Sequence, residues 1–421
     1  MPNPRFYWIF FASALALLPP VAQAQSLTLA AAEARLEAGN REIIAARQLV
    51  ELAGAGTLLA GAVPNPTVTA SMASINASRG IGAGRLQDKQ VDSILRIDQL
   101  LERGGKRDLR IATADAQVLA TQRDLDEIRR QQRLALNVAY FDLKLAIEKL
   151  QIIRDTARLH EQSVAANQRR FESGDVAETE VVRLRIEALR AANDARSAEA
   201  DVVRARQALG VLIGVESGTP EFLPSDAWPM EFPASAATEA SAERIETRAD
   251  VRAAQARVEV AERSRELARS LRTRDVSVGA QVERFPPDPG LSMGFSISLP
   301  LFVRYGFEGE LAVAESGLTS AMAARSRQVA IAMTEVRRAQ NDLRAADERR
   351  RRLNEDLLPQ ARKALASAEF AYQRGATGLL DLLDVRRTQR ALELEAVSAA
   401  ADFAKARAAW FASQFWNDEK P

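Results

Sequence analysis

Cysteine is absent from the 421 residues. Disulfides, thiol catalysis, thiolate metal centres and lipidation of a leading cysteine are therefore excluded. A single histidine, His160, leaves no His-rich zinc site and no choice of triad bases. Charge of one sign is not in excess either: 57 Lys and Arg oppose 56 Asp and Glu, for a formal net charge of +1. A general nucleic-acid binder would need a basic surplus. Aromatics make up only 5% of the chain, and Gly (21) and Pro (16) are few, while Ala is abundant. Such a composition describes long helices rather than one large catalytic core. No enzyme site and no cofactor site is expected, and no metal-ligand cluster.

The one long apolar run is at the start. Arg5 precedes Phe6–Ala12, the run resumes at Ala14–Leu18, and Ala22-Gln23-Ala24 follows. A basic start, an apolar centre and an Ala-x-Ala end predict a signal peptide over 1–24, cut after Ala24. The run stops at Pro19-Pro20, short of the ~20 residues of a spanning helix. No later stretch is as apolar, so no transmembrane helix is expected beyond it. A membrane would have to be crossed as a barrel.

The remainder repeats itself. At an offset of 201, Phe171-Glu-Ser-Gly174 meets Tyr372-Gln-Arg-Gly375, and Ala195, Ala198, Ala205 and Arg206 meet Ala396, Ala399, Ala406 and Arg407. Two units are expected, 25–213 and 247–416. A Pro-rich connector, 214–246, separates them, and a short tail, 417–421, follows. Each unit reads helix, two strands, long helix, turn, helix. Residues 105–170 contain no proline, and 306–374 contain only Pro359. Helices of that length run to about 100 Å. After Gly174, Val181, Leu184, Ala188, Ala191, Ala195, Ala198, Val202, Ala205, Leu209 and Leu212 alternate in spacings of three and four, a heptad seam. Leu382 to Trp410 repeats it. Each long helix should therefore fold back into an antiparallel hairpin, turning at Gly174 and at Gly375. The shorter helices, 28–60 and 177–213, are together nearly as long as the long one and could stack end to end along it.

Four stretches alternate with period two. In 291–299, Leu, Met, Phe, Ile and Leu share one face and small polar residues the other; 276–283 and 67–75 do the same, and 91–101 more weakly. One greasy face opposite a small polar face suits a lipid-facing barrel wall. The hairpin loops would be 77–90, which includes Gly80–Gly84, and 285–290. Four strands cannot close a barrel, and unpaired backbone in hydrocarbon costs several kcal/mol per group. Three copies would supply twelve strands. His160 and the scattered methionines form no metal cluster, and Arg349–Arg352 reads as a wetted helix face.

At this point the chain resembles the TolC-type outer-membrane efflux channels. The likeness rests on Leu27-Thr-Leu-Ala-Ala-Ala, Arg248-Ala-Asp-Val251, Ser298-Leu-Pro-Leu-Phe302 and the two Gly turns, in this order on a plan used twice. Leu101-Glu-Arg-Gly-Gly-Lys-Arg107 is similar to the heavy-metal (CzcC-like) branch. The resemblance implies a mostly α, α+β fold: long helical hairpins forming an α-barrel, and strands forming a trimeric 12-stranded outer-membrane β-barrel. It implies a homotrimer in outer-membrane lipid that extends into the periplasm. There it would meet a periplasmic adaptor and an RND-type inner-membrane pump, and would export small solutes, with heavy-metal cations as the branch suggests. By the same analogy, Asp381 and Asp384, nine and twelve residues after Tyr372, form a periplasmic gate. Arg170, Phe171, Gly174 and Gly375 form the adaptor-docking tips. The basic partner that the family keeps in this turn is replaced by Thr377. The competing reading is a periplasmic adaptor, which also carries a long helical hairpin but usually only one.

Overall fold

The computed structural model describes residues 25–75, 91–215, 221–237, 242–286 and 288–414. The expected signal peptide, the loop 77–90 and the tail 417–421 lie outside these. The first unit contains β1 (Gln25–Leu27), α1 (Leu29–Gly39), α2 (Arg41–Ala60), β2 (Thr67–Ala73), β3 (Asp92–Leu101), α3 (Lys106–Glu172) and α4 (Glu178–Leu212). A belt follows, with β4 (Phe222–Pro224), a 3-10 turn at Ala234–Ala237 and α5 (Ala242–Glu246). The second unit contains α6 (Ala249–Ser270), β5 (Val276–Arg284), β6 (Ser292–Ser298), α7 (Glu308–Arg351), α8 (Leu358–Gln373) and α9 (Leu379–Gln414).

The helices form one curved layer whose order matches that of the strands. The sheet runs β2-β3-β5-β6, all antiparallel. Below it the neighbours are α2-α3-α6-α7, each helix continuing the strand above it. Farther down the order is α4-α3-α9-α8. The heptad seam on α4 faces α3: Val181, Leu184, Ala191, Ala198, Val202 and Leu209 are all buried. The same holds on α9 for Leu382, Ala396, Ala399, Phe403 and Trp410.

Three expectations need correction. The helix predicted over 28–60 is broken at Asn40. Asn40 Oδ1 caps α2 by accepting from the Ile43 amide (3.1 Å), and its Nδ2 donates to Leu212 O (2.9 Å). The break lets the end of α4 abut the α1–α2 junction, where a Cβ on Gly39 would strike Ile213 O. The helix predicted over 306–374 contains a π turn at Arg352–Leu357, immediately before Pro359. A proline removes one amide donor and crowds the carbonyl four residues back, and the wider turn absorbs that mismatch. Within the Arg349–Arg352 run, Arg350 is buried, because it continues the inward line of Leu343 and Asp347. It pairs with Asp347 (2.6 Å) and lies over the Phe403 ring at 4.8 Å. Separately, among the described residues α2 is long and apolar enough to cross a membrane by length and composition alone. Its apolar side is exposed at one margin of the chain, with Leu52 at 68% and Leu58 at 79%.

The Pro-bearing connector is a structured belt. Strand β4 pairs in parallel with β1. Buried Tyr140 on α3 has its hydroxyl 2.9 Å from Leu27 O and 2.6 Å from Asp226 Oδ2. Burial, and then the Asp226 carboxylate, push the Tyr140 phenol above its ordinary value. The Trp228 indole donates to Glu148 and stacks on Phe141. Arg350 donates to Met230 O (3.3 Å), and Gln340 donates to Ala236 O (2.9 Å). The belt thus ties the first hairpin to the second.

Where α6 begins, Arg248 is 1% exposed. Its guanidinium holds Asp250 through two contacts (3.0 and 2.7 Å), Glu335 (2.7 Å) and Ser413 O (3.0 Å), and so joins α6, α7 and the end of α9. Burial alone would push the Asp250 carboxyl up. The Arg248 guanidinium and the Gln328 amide outweigh it and hold the group below its ordinary value. A carboxylate depressed in this way contributes stability that is complete above the ordinary carboxylate range and is lost as pH falls through the lower folded value. Removing one partner of a buried pair costs about 3–5 kcal/mol. Asp250→Asn should therefore lower the temperature at which folded protein is lost at pH 7, and should flatten the decline of that temperature below about pH 4. Thermal melts in detergent across pH 2–7 check both effects.

Candidate functional site

The sheet has two chemically distinct faces. The register places Val68 beside Ile97, Ile97 beside Ala280, and Ala280 beside Phe295. With Leu95, Leu101, Val278, Val282, Met293 and Ile297 they make one apolar face across all four strands. Phe295, beside Ala280 on this face, is 87% exposed. The opposite face carries Thr67, Thr69, Ser71, Arg96, Asp98, Gly279, Gln281, Glu283, Gly294 and Ser296. The outer edges of β2 and β6 pair with no strand among the described residues.

Beneath the sheet, Leu101–Arg107 forms a rigid joint. Gly104 and Gly105 both have positive φ (75° and 67°), and a Cβ on Gly104 would strike Thr273. Buried Lys106 donates to Asp275 and to Thr273 O, both at 2.8 Å. Arg110 pairs with Glu102, and Arg107 donates to Gly61 O (2.8 Å). Lys106 and Arg107 of this run therefore close strand-to-helix junctions.

At the far end, both hairpins turn in the same way. Gly174 (φ 82°) and Gly375 (φ 70°) occupy the left-handed region with no atom close enough to obstruct a Cβ, so glycine is favoured by backbone conformation alone. The Asp175 amide donates to Arg170 O and the Ala376 amide to Ala371 O, the six-residue closure of a helix end. Arg170, Phe171 and both glycines are exposed. Tyr372 is half-buried against Leu184, Leu379 and Leu383, and its hydroxyl accepts from Arg170 (3.2 Å). The tips of the two hairpins thus touch through residues that the sequence assigned to separate roles.

Asp381 is in the first turn of α9, where a carboxylate complements the helix dipole, and Asp384 is one turn further. Both are exposed, while Leu382 and Leu383 between them are buried. Nearby cations are already paired across the seams: Arg386 with Glu369 (2.9 Å), Arg387 with Glu187 (2.5 Å) and Arg390 with Asp194 (3.0 Å). Among the described residues, none pairs with Asp381 or Asp384. Sequence reasoning missed this ladder of arginines, although their spacing along α9 was visible. His160 is packed close to it, 8% exposed. Burial, aided by Arg386, Arg390 and Arg387 and opposed by Glu187, holds the imidazole below its ordinary value. No group of three or more His, Asp or Glu poised for a metal occurs among the described residues.

A family model described as "Outer membrane efflux protein" matches residues 34–215 and 241–412. The chain belongs to this family. Its members are outer-membrane channels of tripartite efflux systems, homotrimers that work with a periplasmic adaptor and an inner-membrane RND pump, and this chain is such a channel subunit. No curated protein gave a match. Among solved structures the fold is similar to that of CusC, at 17% identity over 92% of this chain and 91% of that one (TM-score 0.75). It is similar to the OprN channel, at 22% identity over 92% and 90% (TM-score 0.75). It is also similar to the open-state MtrE channel of Neisseria gonorrhoeae, at 19% identity over 92% and 88% (TM-score 0.70). The adaptor reading has no support: the family match spans both units, and the sheet has the greasy face of a barrel wall.

The two faces predict opposite tolerances. A Lys at the bilayer midplane of a barrel's lipid face costs about 2–4 kcal/mol, and a lumen position does not carry that cost. Phe295→Lys should deplete the assembled protein in outer-membrane fractions, and Ser71→Lys should leave its amount near wild type. Quantitative blotting of heat-modifiable bands measures both.

Proposed function

We propose that three copies close a passive duct whose periplasmic end is narrowed by Asp381 and Asp384. Within one protomer β2 and α2 form one margin, and β6 and α7 the other. The exposed apolar side chains Leu49, Leu52, Leu58 and Leu59 on α2 and Val313, Met322 and Ile331 on α7 belong to those margins. A neighbour that pairs β6 with β2 also brings α7 against α2, so one operation covers both liabilities. The duct performs no chemistry, and the driving energy comes from the partner pump.

The observation that carries the gate reading is the contrast in charge pairing near the tips: Arg386, Arg387 and Arg390 are all paired, while Asp381 and Asp384 have no partner among the described residues. Three copies of each carboxylate around a narrow opening repel one another and attract cations. An adaptor seated on the exposed tips at Arg170, Phe171, Gly174 and Gly375 would bias the hairpins outward, as an iris opens. The π turn makes the second hairpin, which carries the acidic pair, the one with a built-in irregularity. Heavy-metal cations fit an acidic constriction. The Leu101–Arg107 likeness is explained by its structural joint and by itself says little about cargo.

Replacing both Asp381 and Asp384 with Ala should raise the single-channel conductance of purified trimers in planar bilayers by severalfold. A conductance equal to wild type would remove the gate assignment and leave the duct intact.

A further inference from the structure

The polar face of the sheet contains one structured feature that neither the gate nor the trimer seam uses. Arg96 and Asp98 are adjacent on this face of β3. The guanidinium binds the carboxylate through Nε (2.7 and 2.9 Å) and Nη2 (2.7 Å). Nη2 also donates to Ser296 Oγ on β6 (2.8 Å), reaching over the intervening strand β5. The residue crossed on β5 is Gly279, paired with Asp98 on one side and Ser296 on the other. A Cβ there would overlap both Asp98 Oδ1 and Ser296 Oγ. The glycine is therefore a recess, and the ion pair lies flat in it against the wall. The other charges on this face, Asp92 and Glu283, are nearer the outer end of the strands. There Gln281 donates to Glu283 Oε2 (2.9 Å).

We propose that the Arg96–Asp98 pair, seated over Gly279, sets the charge selectivity of the middle of the barrel by making that belt electrically neutral. It rests on the reading of the polar face as the lumen of a closed barrel. In a trimer either charge alone would appear three times around one pore at the same level. Paired and recessed, the two cancel, and cations and anions pass this level alike. Among the described residues of this face, the remaining acidic side chains, Asp92 and Glu283, are near the outer end of the strands. Arg96 and Asp98 thereby keep this level of the barrel indifferent to the sign of a solute's charge, and Gly279 positions them.

The cysteine-free chain supplies the test. Thr69, directly opposite Arg96 on β2, is replaced by Cys, and intact cells are treated with small cationic and anionic methanethiosulfonate reagents of matched size. The readout is the ratio of the two modification rates, which reports the local potential whatever the state of the far gate. Added Arg96→Gln should raise the cation-to-anion ratio by roughly three- to tenfold, the effect of a potential shift of a few kT or less. Added Asp98→Asn should lower it by a similar factor. The double neutral variant and Arg96→Lys should both return it towards that of Thr69→Cys alone. Heat-modifiable bands confirm assembly of each variant, and Asp98→Asn keeps the charge test available if Arg96→Gln does not assemble. Ready modification with a ratio that does not move in either single variant overturns the proposal and leaves the barrel reading standing. No modification of Thr69→Cys by either reagent in assembled protein overturns the lumen assignment itself, and the proposal with it.

Discussion

A strand edge in hydrocarbon must be paired, and the rest of this molecule answers to that requirement. Water is not available to the free amides and carbonyls of β2 and β6, and each such group left alone costs several kcal/mol. The sheet cannot curl on itself with four strands, so the missing partner is another copy of the same edge pair. The helices obey the same geometry. Because α2 and α7 continue the edge strands, the unpaired side chains on the helical layer end at the same two margins as the unpaired backbone. A contact that seals the barrel therefore also seals the tunnel.

That requirement makes the joints between wall and tunnel as important as the wall. At the barrel base, Gly104, Gly105, Lys106 and Asp275 fix how β3 and β5 enter and leave the helical layer. At mid-height, Asn40 and Arg248 occupy corresponding places in the two units. Each stands before a helix that continues to a strand, and each binds the carbonyl end of the hairpin's returning helix. One is small and neutral, the other a buried guanidinium with carboxylate partners. The belt around them, through Tyr140, Asp226, Trp228 and Met230, locks the upper parts of both hairpins. Below it only side-chain seams join them, and the second hairpin leaves through a π turn. Rigidity is concentrated above, and freedom below.

Much of this plan is legible in the sequence where a period is long enough to count. The strands were readable to within two residues at each end because the alternation over seven to ten positions has no helical counterpart. The hairpins were readable because the spacings of three and four persist over nearly every turn of α4 and α9, and because Gly174 and Gly375 end helices of matching length. What was not readable depends on partners distant in sequence. Gly39-Asn40 was a visible stop-and-cap signal that the 28–60 reading passed over, and the reach of Asn40 to Leu212 is what fixes the break there. Pro359 was visible, but the π turn that accommodates it was not. Arg350 was hidden by its arginine neighbours, although its spacing from Leu343 and Asp347 was available. The three-residue β1 and β4 are too short to show a period. At the tips the candidate residues were named by analogy. That no described residue pairs with Asp381 or Asp384 could be seen only once the partners of Arg386, Arg387 and Arg390 were known.

The central claim is that one polypeptide is an incomplete object, completed by two identical copies. Native mass spectrometry of the gently detergent-extracted protein tests it most directly. The account predicts a particle of three chains that falls to one chain only on heating. A particle of one chain that remains folded in the membrane, or a monomer stable in water without detergent, would contradict it.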